Sequence, residues 1–382
     1  MINTERLTKT FMDLVKIDSI SREEAQVSGI IQERLEALGA DIVIDKAGEK
    51  TGGNTGNLIA RVKGNADVPP LMLNAHMDTV EPGRGIVPVL KDGLFTSQGD
   101  TILGADDKSA IAIILEALHV IKENNLDCGP LDVVFTVCEE IGLMGAKHLD
   151  FSQISAAYGF ALDATDTRGV VTRAPSANRL EFLVHGKEAH AGAAPEKGIK
   201  AIQIASRAIA DLELGRIDEE TTCNIGVIEG GLATNIIPNL VRIEGEVRSH
   251  DAEKLASVTQ TIVSAFDRAA AESRQTSEGG ALPAVDSHVE HDFARTHIAE
   301  DHPVVTLAAR AAQNLGRDMI CKTTGGGADA NVFFQQGIIT GVLGTGMHNM
   351  HTINESVRLE DMVEAVELLL EILKLHARGG GS

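Results

Sequence analysis

The 382 residues are 43% hydrophobic and 23% charged, the composition of a soluble globular chain too long for one ordinary core. A formal net charge of −21, from 34 lysines and arginines against 55 aspartates and glutamates, argues against nucleic acid and anionic membrane as partners, since both call for basic patches.

The N-terminal stretch "MINTERLTKTFMDLVKIDSIS" is charged and amphipathic and lacks the apolar core and small-residue cleavage site of a signal peptide. No purely apolar run approaches the ~20 residues of a membrane span. Cys128, Cys138, Cys223 and Cys321 form no C-x-x-C pair and suggest no disulfide scaffold, which fits a cytoplasmic setting. Ser21 with Glu24 reads as a capping box opening a helix, with Val27, Ile30, Ile31, Leu35 and Leu38 at helical spacing and Gly39 as its stop. Strands follow at 57–62 and 71–75, a long helix at 107–124, then strands at 131–137 and 158–164. This alternation predicts an α/β domain, a central and mostly parallel sheet flanked by helices.

From about residue 176 the pattern changes. A strand at 179–186, a helix at 198–214, the strand pair "CNIGVIEGG" and "LVRIEGEVRS", a helix at 252–274 and a strand at 283–293 give the order β-α-β-β-α-β. That order predicts a ferredoxin-like α+β domain inserted as one unit over 176–294. The first style then resumes, with a helix at 303–315, strands at 318–324 and 338–344 and a helix from Leu359 to His376. The outer domain is therefore expected to be discontinuous, 1–175 and 295–378, with "GGGS" (379–382) as a flexible tail. The cleft between the two domains is the default binding site.

Five groups of histidine, aspartate and glutamate fall at or just after strand ends, where α/β sheets build their sites. "LNAHMDT" holds His76 and Asp78, two apart and so on one face. Asp106 and Asp107 precede the long helix, where capping explains one aspartate easily but not two. In "VCEEIG", Glu139 and Glu140 end an apolar strand, an arrangement costing several kcal/mol unless a cation or hydrogen bonds compensate. Gly142, Gly145 and Ala146 keep that loop compact. Asp163 ends another apolar strand, and His348 and His351 follow the strand at 338–344. Each signal alone is modest, and a surface reading suits it well. Together they predict a constellation of oxygen and nitrogen ligands without thiolate, which suits zinc, manganese or cobalt. Two ligands on either side of one shared carboxylate describe a two-metal hydrolase. No G-x-x-x-x-G-K-[ST], H-E-x-x-H or G-x-S-x-G sequence competes, and the glycine-rich "TTGGGADAN" (323–331) reads as a close-approach loop lining the cleft.

The segments "HMDTVEPG", "LGADDKSAIA", "CEEIGLMGA", "ALDA", "HAGAAPEKG" and "HTINE" resemble, in order along essentially all of residues 1–376, the motifs of the co-catalytic zinc aminopeptidase, carboxypeptidase and deacylase superfamily. Within it the chain is most similar to the peptidase T-like tripeptide aminopeptidases. The resemblance implies a zinc-peptidase-like fold whose inserted domain is a lid, and two zinc ions per subunit. It makes Asp106 the bridging carboxylate, His76 and Asp163 the ligands of one ion, and Glu140 and His351 those of the other. His351 is preferred to His348 because His351 and Glu355 reproduce the family's H-x-x-x-E. It gives Asp78 the task of orienting His76, makes Glu139 the general base, and implies a cis peptide after Asp106. From the lid, His190 would stabilise the oxyanion, and Asn235 and Arg248 would bind a substrate carboxylate. In some relatives the lid histidine comes from a second subunit, so a homodimer through this domain is compatible with the resemblance. The implied activity is metal-dependent hydrolysis of short peptides. The alternatives are a deacylase of N-acyl amino acids and a non-catalytic binding protein on the same fold.

Overall fold

The structure, a computed structural model, describes residues 1–274 and 281–379. The last three residues of the expected tail, 380–382, lie outside the described residues. The chain divides into two compact units. The first comprises Met1–Arg173, Thr296–Thr324 and the chain from Ala328; the second comprises Ala174–Arg295 with Gly325–Gly327.

The first unit is built on a nine-stranded sheet. Its order is Asp41–Ile44, Leu58–Val62, Leu131–Thr136, Leu71–His76, Tyr158–Ala164, Ile339–Gly344, Gly169–Ala174 and Thr296–His297, with Ile320–Thr323 paired beside Gly169–Ala174. The four central strands, from Leu131–Thr136 to Ile339–Gly344, are mutually parallel. Antiparallel pairs occur toward the edges. Leu71–His76 and Leu131–Thr136 are buried at every position. That is why they read as continuous apolar runs rather than alternating ones, as strands covered on both faces do. On one face Leu71, Leu73, Ala75, Val133 and Phe135 join a core with the helices Thr4–Val15, Ala25–Leu38, Ala105–Asn124, Pro303–Asn314 and Leu359–Ala377. In the last of these, Met362, Ala365, Val366, Leu369, Ile372 and Leu373 form the buried stripe. Each large aliphatic side chain in it contributes roughly 1.5–3 kcal/mol by leaving water. The other face is covered near its centre by the short helix Asp329–Gln335.

Parallel strands carry their C-terminal ends to one edge of the sheet. His76 pairs with Thr136, and Asn74 pairs with Ala161. Two residues further on, the second register sets His76 level with Asp163. The segments that leave these strand ends are therefore the ones that carry Asp78, Glu139, Glu140 and, after Gly344, His351.

In the second unit the strands Thr221–Gly230, Leu240–Ser249, Ser176–His185 and Ala284–Phe293 form an antiparallel sheet in that order, with the short strand Gly215–Arg216 at one edge. The helices Ala201–Ala210 and Ala252–Arg274 pack on it and on each other, over Leu180, Phe182, Val184, Val241, Ile243 and Val247. The chain order is β-α-β-β-α-β.

Three local expectations are corrected. Ser21 and Glu24 form no capping box: the helix begins at Ala25, and the side chain of Glu24 makes no cap bond to it. The helix expected over 198–214 covers only Ala201–Ala210; it starts late because Ile199 is drawn into a two-way backbone bridge with Lys187. The stretch 323–331, expected to be a glycine-rich loop throughout, enters the helix Asp329–Gln335 over its last three residues.

Candidate metal centre

His76 ends its strand buried, 2% exposed. Its ring Nδ1 lies 3.0 Å from the carbonyl oxygen of Asp78 and 3.5 Å from that residue's Oδ1, which leaves Nε2 facing Asp106 Oδ1 at 3.0 Å. A histidine with one ring nitrogen held by a carbonyl has the other aimed, the usual second-layer arrangement of a metal ligand. The carboxylate of Asp78 itself, fully buried, accepts the backbone N–H of Glu139 at 2.9 Å and of Glu140 at 3.2 Å.

Asp106 is the hub. Oδ1 faces His76, and Oδ2 lies 3.3 Å from His351 Nε2. That same nitrogen is 3.0 Å from Glu140 Oε1. One carboxylate thus reaches both histidines with different oxygens. Neither Asp106 nor Asp107 caps the helix with its side chain: the N-cap is Gly104, and both aspartates depart from helical angles. The peptide between them is cis. Asp107 Oδ2 accepts the His76 N–H at 3.2 Å, and its Oδ1 is buried without a partner. Two groupings place their ligand atoms within 4.8 Å of one another: His76 with Asp106 and Glu140, and His76 with Asp107 and Asp163.

Glu355 fixes the loop that presents Asp106. Its Oε2 accepts the N–H groups of Leu103 and Gly104, each at 2.7 Å, and its Oε1 accepts that of Asp106 at 2.9 Å. His351 itself has a φ of 61°, a left-handed conformation uncommon outside glycine. His348 makes no approach to these groups among the contacts of the described residues.

Charge concentrates here with no lysine or arginine ion-paired to Asp106, Glu139, Glu140 or Asp163 among the described residues. Burial pushes the carboxyls of Asp107, Glu139 and Asp163 well above their ordinary range, and that of Glu140 upward. For Asp106 the cost of burial is outweighed by His351 and His76, which hold its carboxyl well below. Asp106 and then Glu140 raise His351 to about 10. A metal-free cluster of this kind keeps protons that a cation would displace. The donor set of imidazole and carboxylate, the orphaned oxygen of Asp107 and the doubly shared Asp106 all fit divalent cations of the zinc, manganese or cobalt type.

Asp329 is the residue that sequence reasoning missed. It is 2% exposed, accepts from Thr136 Oγ1, lies 3.5 Å from Asn74 Nδ2, and leaves Oδ1 without a partner. Burial raises its carboxyl to about 6. The available signal was indirect: Asn74 and Thr136 are polar residues inside buried apolar strands, and buried polar groups need partners.

The other expected residues lie in the second unit. His190 pairs with Ile236 in a two-stranded ribbon, and Ala191 N–H donates to the Asn235 carbonyl, so His190 and Asn235 are neighbours. His190 is exposed, its Nδ1 accepting from the N–H groups of Gly192 and Ala193. Arg248 lies near the end of Leu240–Ser249, donates to Glu246 Oε2 at 2.9 Å, stacks over Phe293 at 5.9 Å and has a buried Nε without a partner.

Two histidines and a set of buried carboxylates gathered at the C-terminal edge of a parallel sheet, around a shared aspartate, define a metal-dependent hydrolase. The profile of peptidase family M20/M25/M40 matches residues 72–375. The crystal structure of the aminopeptidase PepT from Bacillus cereus is 41% identical, with a TM-score of 0.85 over 98% of this chain and 99% of that one. That of a tripeptidase from Staphylococcus aureus is 38% identical, with a TM-score of 0.89 over 99% of this chain and 100% of that one. The uncharacterized protein YqjE of Bacillus subtilis is 41% identical over 99% of this chain and all of its own length. The chain belongs to peptidase family M20/M25/M40 and is a hydrolase acting on peptide bonds. No described helix is long and apolar enough to cross a membrane.

Proposed function

We propose that the chain is a tripeptide aminopeptidase-like exopeptidase working with two divalent cations, with Glu139 as its general base. The observation that carries this reading is the placement of Asp106, whose two oxygens face His76 and His351 separately. In this reading His76 and Asp163 hold one ion, Glu140 and His351 hold the other, and Asp106 is shared. Two zinc ions, or manganese or cobalt, would lower the pKa of a water toward ~7 and polarise the scissile carbonyl.

Glu139 is 8% exposed, and its backbone is fixed by Asp78. Its carboxylate takes the proton of the attacking water and passes it to the leaving amine. Burial raises this carboxyl, His76 partly opposes that rise, and the neighbouring Asp163, Asp329 and Glu140 add to it. A raised carboxyl suits a group that must both accept and return a proton near neutral pH. His190 stabilises the oxyanion. Asn235 and Arg248 take the substrate's carboxylate, the planar fork of arginine pairing with it bidentately. That pairing restricts the enzyme to short peptides. A homodimer through the second unit and a cytoplasmic location complete the reading.

The test is a substrate panel on protein loaded with zinc, manganese or cobalt: di-, tri- and tetrapeptides with free termini beside N-acetyl amino acids. Tripeptides with a free amino group are expected to exceed the N-acetyl compounds at least 100-fold in kcat/KM. Preference for N-acetyl amino acids would make the chain a deacylase. Hydrolysis of neither by metal-loaded protein would make it a binding protein.

A further inference from the structure

The segment that was expected to cap a helix is instead tied to the metal centre at both of its neighbouring strand tips. We propose that Ile17–Glu24 is a brace, with Ser21 and Glu24 as positioning residues that set the aim of Asp78, Glu139 and Glu140. The proposal rests on the reading of those three residues as parts of the metal centre.

The brace runs beside the strand tip at 77–79. Ser19 Oγ donates to the Met77 carbonyl at 2.9 Å, Thr79 N–H donates to the Ser19 carbonyl at 2.9 Å, and Ile20 bridges Thr79 in parallel. One residue beyond that bridge, Ser21 Oγ donates to Asp78 Oδ2 at 2.6 Å. That same carboxylate receives the N–H groups of Glu139 and Glu140. The hydroxyl is therefore one bond removed from the backbone of both glutamates.

Glu24 reaches the second tip. It is fully buried, and its Oε1 accepts the Cys138 N–H at 3.0 Å and the Cys138 thiol at 3.3 Å. Cys138 immediately precedes Glu139 and stands in a left-handed conformation, φ 54°. The same Oε1 accepts the Arg22 N–H at 2.9 Å, closing a turn in which Arg22 is also left-handed, φ 79°. Non-glycine residues held this way persist only where the surroundings over-determine them. At the other end of the brace, the buried Lys108 donates to the Ile17 carbonyl at 2.7 Å. Lys108 follows Asp106 and Asp107, so the brace is tied to three of the motifs that build the site.

A helix cap would have turned the Ser21 and Glu24 side chains toward the first turn of Ala25–Leu38. Both point to the site instead, and groups that orient metal ligands typically carry 10–100-fold in metal affinity or activity.

The experiment compares Ser21→Ala, Ser21→Thr and Glu24→Gln with the parent in the full chain. Zinc affinity is measured by competition with a chromophoric chelator, without substrate. Kinetics on a tripeptide and the Tm of the metal-free protein are measured beside it. Ser21→Ala is expected to weaken zinc binding 10–100-fold and to lower kcat about tenfold with KM within about twofold. Its metal-free Tm should stay within about 2 °C. Ser21→Thr, which keeps the hydroxyl, should recover affinity and kcat to within about threefold, and Glu24→Gln should lose zinc affinity in the same range as Ser21→Ala. Parental zinc affinity and kcat in Ser21→Ala would overturn the proposal, and so would equal losses in Ser21→Ala and Ser21→Thr. Because zinc binding is read without substrate, failure of the brace is distinguishable from failure of the peptidase reading.

Discussion

At the scale of single residues, the site is a problem of buried charge. Carboxylates at strand tips are legible in sequence because apolar runs such as "VVFTV" end abruptly in "CEE", and nothing local compensates the charge. Asp329 was not legible, since its partners Asn74 and Thr136 are about 255 and 193 residues away along the chain. Its carboxyl gives a pH signature. Unfolded, it titrates at the ordinary 3.8; folded, at about 6. Below 3.8 both states hold the proton. Between 3.8 and about 6 only the folded state keeps it, so stability falls as pH rises through that window, by up to roughly 3 kcal/mol. Asp329→Asn removes the titration. The Tm of metal-free Asp329→Asn should therefore gain on that of the parent between pH 4 and 6 and stay level above it. Arg248→Ala should raise KM for a tripeptide at least tenfold with kcat within about twofold, as removal of uniform binding does.

At the scale of elements, the sheet explains why distant motifs meet. Strand and helix positions were legible because 3.6- and 2-residue periodicities and apolar runs mark them. The Ser21–Glu24 pair misled because a capping box and a brace share the same residue types, and only three-dimensional register tells them apart. Two loops carry the precision of the site. Glu355 satisfies three backbone donors around Asp106. Glu355→Ala leaves them buried without partners, at about 1–3 kcal/mol each. The expected result is a Tm loss of several degrees together with weaker zinc binding, read by thermal melts and chelator competition. Gly145 backs the Glu139–Glu140 loop: a Cβ there would meet the Val137 backbone and Asn57 Oδ1. Gly145→Ala should cost about 1–3 kcal/mol in denaturant unfolding, as overpacking does.

At the scale of the whole molecule, the β-α-β-β-α-β order of the second unit was legible because its strands and helices carry their own 2- and 3.6-residue periodicities. The grouping of Gly325–Gly327 with the second unit was not, since three glycines carry no periodicity. The proposed ligands are spread from His76 to His351. Only the folded chain gathers them, so metal binding stabilises it by mass action, about 4 kcal/mol at 1,000 times Kd. Chelation should lower Tm by several degrees, and added zinc should restore it. Whether this gathered centre cleaves peptides with Glu139 as base is decided by the kcat of Glu139→Gln on a tripeptide, with its zinc content determined in the same sample. The variant is expected to hold two zinc ions per chain, as in the parent, with a kcat at least 1,000-fold lower, more than the 10²–10⁴ scale of general-base loss requires at its lower end. Parental kcat in the zinc-loaded variant would rule Glu139 out as the base.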